Sequence, residues 1–118
     1  MSARIWSYPA CSTCKKAIKW LDGQDINHQV IHIVDSPPDR ALLEDLWRRS
    51  GLPLKKLFNT SGRSYREGGF GARLPEMTDG QALDALAADG KLIKRPVLDT
   101  GASVLVGFRE GTWEETLA

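Results

Sequence analysis

The hydrophobic period changes twice within the first 34 residues. Residues 3–8, ARIWSY, alternate about Ile5 and Trp6 as a short strand does, and Pro9 ends the run. From Cys14 the apolar residues recur at Ala17, Ile18 and Leu21, which is one face of a helix that Gly23 stops. His28 to Val34, HQVIHIV, is β-branched and apolar, a second strand. Strand, helix and strand in that order predict a βαβ unit with its two strands parallel.

The rest of the chain is punctuated as clearly. Ser36 and Asp39 both stand ready to cap a helix with Leu42, Leu43, Leu46 and Trp47 on one face and Gly51 at its end. Residues 53–58, PLKKLF, are a candidate short further helix, and the glycine-rich stretch 59–73 reads as an irregular loop with room for one helical turn. Thr78 and Gln81 have the spacing of a capping box, opening a helix through Leu83, Leu86 and Ala87 to Gly90. Val97 to Asp99, a turn at 100–102 and residues 103–108 form a hairpin signal, and a last helix carries Trp113 and Leu117. The fold class is therefore α/β: a four-stranded mixed sheet, as in a thioredoxin-like core, with a helical insertion in the middle of the chain. The 118 residues are expected to make one domain, 1–118, with its core at about 1–35 and 91–118 and the insertion at about 36–90.

Composition narrows the function classes. The chain is 42% hydrophobic and 26% charged, ordinary globular values. A net charge of +1 gives no reason to expect direct nucleic-acid binding or a membrane surface. No apolar run approaches the roughly 18 residues of a bilayer span, and no export signal is evident, so a cytoplasmic monomer is expected. In that compartment a C-x-x-C is more often catalytic or metal-binding than a structural disulfide.

The only two cysteines are Cys11 and Cys14. With His28 and His32 they match the spacing of a zinc site. Geometry weighs against it, because tetrahedral zinc needs four ligand atoms within about 2.0–2.3 Å of one point. Two histidines four residues apart on a strand are separated by roughly 13 Å. No metal and no bound cofactor are expected. The redox reading fits better. Cys11 falls at the N-cap of the helix that starts at Ser12, where free N–H groups and the macrodipole favour a thiolate. Lys15 and Lys16 add positive charge, and such surroundings lower a thiol from about 8.5 to roughly 3.5–7.5. Cys11 is then the nucleophile. Cys14, opening the apolar stripe, is either the buried resolving thiol or a small core residue. Ser12 and Thr13 between them are candidate substrate-binding residues. Arg95, before Pro96 at the head of a strand, is either a surface arginine or a fixed charge beside Cys11.

Four stretches together resemble the arsenate reductase/Spx family: YPACSTCKKAIKWL, IHIVDSPPDRALLEDL, SGLPLKKLFNTSGRSYRE and LIKRPVLDTGASVLVGF. The resemblance covers nearly the whole chain in order. It implies that Cys11 is the reactive cysteine and that Arg95 is an active-site arginine preceding a cis Pro96, a residue that would also face substrate. It implies a small thiol or oxyanion substrate and a thiol reductant, whether glutathione, glutaredoxin or thioredoxin as redox partner. The chain departs from glutaredoxin-coupled arsenate reductases, which use three arginines to hold the oxyanion. Asn59 and Gly107 stand where the other two would be, and Arg63 and Arg66 are nearby candidates to replace them. Cys14 adds the second cysteine those enzymes usually lack, which is closer to the Spx-like, C-x-x-C branch. The expected function is a thiol-disulfide oxidoreductase in which Cys11 attacks a disulfide, a glutathione adduct or, ranked lower, arsenate. The alternative is an Spx-like redox-sensing regulator that binds the RNA polymerase alpha subunit.

Overall fold

In the computed structural model, which describes residues 3–117, β1 (Ala3–Ser7) lies at the centre of a four-stranded sheet. It runs parallel to β2 (His28–His32), with Ile5 opposite Val30. On its other side it pairs antiparallel with β3 (Val97–Asp99), Ile5 opposite Leu98. β3 pairs antiparallel with β4 (Val104–Val106), so the sheet order is β2-β1-β3-β4. The first crossover is α1 (Ser12–Gly23). Between β2 and β3 lie α2 (Arg40–Ser50), the short α3 (Arg63–Glu67) and α4 (Phe70–Arg73), and α5 (Asp79–Ala88). The chain closes with α6 (Glu110–Leu117). This is the mixed α/β sheet with a helical insertion that the element order predicts.

The sheet is covered on both faces, and β1 shows why. Side chains alternate across a strand, so Ala3 and Ile5 point to one side and Trp6 to the other. Ile5 packs with Ala17, Leu21, Leu98 and Trp113, which belong to α1, β3 and α6. Trp6 packs with Leu43, Leu46, Leu86, Ile93 and Val97, mostly from the insertion. Both Ile5 and Trp6 are buried, so neither face of this strand is open to solvent. The insertion is half of the core rather than an appendage.

Local chemistry sets the element ends. Of the two candidate caps, Asp39 is the one used, its Oδ1 accepting from the Leu42 N–H at 2.8 Å. The Thr78–Gln81 capping box forms in both directions, at 3.1 and 3.0 Å. The second strand stops at His32 rather than Val34. The His32 Nδ1 accepts from the Val34 and Asp35 N–H groups and turns the chain away from the sheet. The stretch 59–73 holds two short helices instead of a loop with one turn. Tyr65 and Phe70 close an aromatic cluster with Phe58, at ring separations of 5.7–6.4 Å, and that burial outweighs the glycines.

Candidate active site

Cys11 caps α1. Its backbone is extended, φ −87° and ψ 113°, and its Sγ accepts from the Cys14 N–H at 3.3 Å. The bend that delivers it is closed by the Cys11 N–H donating to the Tyr8 carbonyl at 2.9 Å. Partial burial works to raise the Cys11 thiol. Hydrogen bonds from the Cys14 thiol, from the Cys14 N–H and from the Thr13 N–H, together with the Arg95 charge, outweigh it and leave the group below its ordinary value. Cys14 is buried, 1% exposed. Burial first, then its hydrogen bond to Cys11, pushes its thiol up to about 12. Both cysteines are free thiols. Two residues of identical type, one turn apart, thus have opposite acidities.

The second half of the site comes from the far end of the insertion. The Arg95–Pro96 peptide is cis and leads directly into β3. The Arg95 guanidinium lies 4.8 Å from the Tyr8 ring centre and donates to the Lys91 carbonyl at 3.2 Å. Tyr8 in turn meets the His32 ring edge-on at 5.7 Å. The arginine is therefore held by an aromatic face and a carbonyl, with no carboxylate partner among the described residues.

Cys11, Thr13 and Arg95 line one open pocket of about 740 Å³. Of the other residues singled out from sequence, Ser12 is exposed on the first turn of α1 without lining that pocket. Cys14 and Pro96 are buried and do not line it. Asn59 and Gly107 both line it, whereas Arg63 and Arg66 do not, and Arg63 faces Glu67 instead. Gly107 has φ 75°, a conformation that suits glycine, and this ends β4 at Val106. A Cβ there would come within 3.1 Å of the Lys94 side chain. Sequence reading missed Lys56, Lys94 and Arg109, which all line the pocket, and Tyr8, which positions Arg95. Tyr8 and Lys94 are each a near neighbour of a recognised motif; Lys56 and Arg109 gave no local signal.

The histidines are separately engaged. The His28 Nδ1 lies 2.8 Å from the Ile26 carbonyl, and the His32 Nδ1 is occupied by two backbone N–H groups. Among the described residues no group of three or more His, Cys, Asp or Glu is placed to hold a metal. Nor is any helix long and apolar enough to cross a membrane.

Residues 6–116 match the model of the ArsC family. The uncharacterised protein YusI of Bacillus subtilis is 48% identical over 120 residues, covering all of both chains. An arsenate reductase of Rhizobium meliloti is 30% identical, over 81% of this chain and 67% of that protein. The regulatory protein MgsR of Bacillus subtilis is 24% identical, over 91% of this chain and 83% of that protein. Among solved structures, an ArsC-family-related protein from Bacteroides fragilis superposes with a TM-score of 0.94 at 45% identity, covering 98% of this chain and 97% of that one.

Proposed function

The chain belongs to the ArsC family, and from that premise we propose that it is a thiol-disulfide oxidoreductase with Cys11 as nucleophile, Cys14 as resolving thiol and Arg95 as charge stabiliser. The observation that carries the reading is the split between the two thiols. One is exposed to the pocket and held below the ordinary value, and the other is buried and pushed to about 12.

The steps balance without a bound cofactor. The Cys11 thiolate attacks one sulfur of a substrate disulfide, forming a mixed disulfide on Cys11 and releasing the other half as a thiolate. The Arg95 charge stabilises the developing anion. Cys11 is then neutral, so the hydrogen bond and the charge that help raise Cys14 disappear with its anion. What remains against Cys14 ionising is mainly burial. Cys14 loses its proton to solvent or to the departing thiolate, attacks the Cys11 sulfur and expels the first half as a thiolate, which takes its proton from water. The protein is left with a Cys11–Cys14 disulfide, and an external thiol reductant, glutathione, glutaredoxin or thioredoxin, returns the pair to thiols.

Disulfides or glutathione adducts suit the pocket better than arsenate. Of the three arginines that the resemblance implies for oxyanion binding, we read only Arg95 as present, with the uncharged Asn59 and Gly107 at the other two positions; both line the pocket. The test is Cys14→Ser. This variant should trap the mixed disulfide on Cys11, seen as a stable mass increase equal to one half of the substrate. Complete turnover by Cys14→Ser at the unmodified rate would remove Cys14 from the mechanism.

The relative MgsR, a regulatory protein, supports a second reading: a redox-switched regulator in which the same pair is a sensor. Oxidation-dependent capture of the RNA polymerase alpha subunit, with no catalytic thiol exchange, would favour it over the enzyme.

A further inference from the structure

The chain as a whole is close to neutral, with 16 basic and 15 acidic residues. The wall of the Cys11 pocket is not. Lys56, Lys94, Arg95 and Arg109 line it, and no Asp or Glu does. Away from the pocket, five arginines pair with carboxylates: Arg4 and Arg49 with Asp99, Arg40 with Asp84 and Glu44, Arg48 with Glu44, and Arg63 with Glu67. None of the four pocket cations forms an ion pair with a carboxylate among the described residues.

They also arrive from separate parts of the fold. Lys56 sits on a 3-10 turn, Leu54–Leu57, after α2. Lys94 is anchored by its N–H donating to the Leu57 carbonyl at 2.7 Å, and its aliphatic arm runs beside the side-chain-free Gly107. Arg109 immediately precedes α6. Convergence of unpaired charge from three elements on one concavity focuses a positive potential there. The remaining wall is mixed: Val104 to Val106, Phe108 and Trp113 are apolar, and Thr13, Ser50, Asn59, Ser61 and Thr112 add neutral polar groups. A volume of about 740 Å³ is within the range of roughly 300–1,000 Å³ that takes drug-sized ligands, well beyond the needs of one small oxyanion.

We propose that Lys56, Lys94 and Arg109 form an outer anion subsite that selects low-molecular-weight disulfides bearing carboxylates. Arg95 serves the reacting sulfur, and the outer three hold the distant carboxylates. This rests on the reading of Cys11 as a thiol that attacks disulfides, and it adds which disulfides.

A charge series of similar size separates the two ideas: dithiodipropionate (dianion), bis-hydroxyethyl disulfide (neutral) and cystamine (dication). Binding is measured on Cys11→Ser, which cannot react, by amide and indole shift changes in NMR titration. The Trp113 indole, which donates to the Gly107 carbonyl at 3.1 Å, is a reporter on the pocket wall. The dianion should bind at least about tenfold more tightly than the neutral disulfide, and the dication most weakly. The preference should shrink as salt rises. Adding Lys56→Gln, Lys94→Gln and Arg109→Gln, all at exposed positions, should reduce it to about threefold or less. Equal binding of dianion and neutral disulfide overturns the subsite, as does a triple variant that keeps the full preference. The exchange rate of the wild-type protein with the neutral disulfide, relative to a free thiol, separately tests the nucleophile reading. Its failure would leave the binding result to decide the subsite by itself.

Discussion

Asp99 is the polar residue on which the sheet and the insertion are fastened together, and replacing it by Asn is a sharp test of that role. Asp99 is 5% exposed on β3. Its Oδ1 accepts from Arg49 Nη1 at 2.8 Å and from the Gly101 N–H at 2.8 Å. Its Oδ2 accepts from Arg49 Nη2 and Arg4 Nη2, both at 2.9 Å. All four partners are donors. An Asn side chain has one acceptor and one NH2, so either orientation turns a donor toward two donors. Hydrogen bonds to charged groups contribute about 1.5–3 kcal/mol each, and breaking a buried pair costs about 3–5 kcal/mol. Arg49 is 29% exposed and Arg4 43% exposed, so both recover some hydration. The expected loss is therefore about 2–3 kcal/mol, or roughly 10 °C in Tm. Urea unfolding followed by Trp fluorescence measures it, with the midpoint moving and the slope unchanged. The pH dependence has a definite sign. The Arg49 guanidinium holds the Asp99 carboxyl well below the usual range. Its contribution is fully present above the unfolded value, about 3.9, and is lost as pH falls toward the folded one. The gap between wild type and variant should be flat from pH 7 to 5 and narrow by up to about 1.4 kcal/mol per pH unit below about 3.9. A gap under about 0.5 kcal/mol at pH 7, or one that stays constant into acid, would refute the reasoning.

Two further outcomes follow from the site and the packing. The rate of Cys11 alkylation, or thiolate absorbance, should rise with pH about a midpoint below the ordinary thiol value, and Arg95→Gln should move that midpoint upward. An unmoved midpoint would detach Arg95 from the nucleophile. Gly90→Ala should cost about 2–3 kcal/mol in urea unfolding, because a Cβ there would lie 2.1 Å from the Ile33 backbone carbonyl oxygen, which has no flexible side chain to yield. A loss below about 0.5 kcal/mol would mean that Gly90 approaches the Ile33 carbonyl less closely than described.

Much of the fold was legible because local and tertiary signals agree. Cys11 capping α1, Gly51 ending α2 and the Thr78–Gln81 box are all short-range devices written within four residues of each other. The errors arose where a long-range contact overrules a local bias. Phe70 and Tyr65 make helices of a glycine-rich stretch because Phe58 is there to receive them. Alternation about Ile5 and Trp6 marks a strand without saying what covers each face, and it is the insertion that covers Trp6. At the site, Cys11 announced itself through its helix. Lys56 and Arg109 did not, because their significance lies only in facing the same concavity from different elements. Asp99 was equally silent, since Arg4 and Arg49 lie 95 and 50 residues away from it in sequence.

The helical insertion between β2 and β3 also has a consequence in time. Cys11 and Arg95 are about eighty residues apart, so a chain leaving the ribosome exposes its two cysteines long before the arginine exists. β1 at that stage has β2 beside it and α1 for one face, while the face that Trp6 presents is still uncovered. The nascent thiol has only the hydrogen bonds of its own turn, from Cys14 and Thr13, to lower it, and lacks the Arg95 charge. The Arg95 charge reaches Cys11 only when β3 pairs with β1, so the last contribution that lowers this thiol is a product of the completed sheet rather than of the local turn.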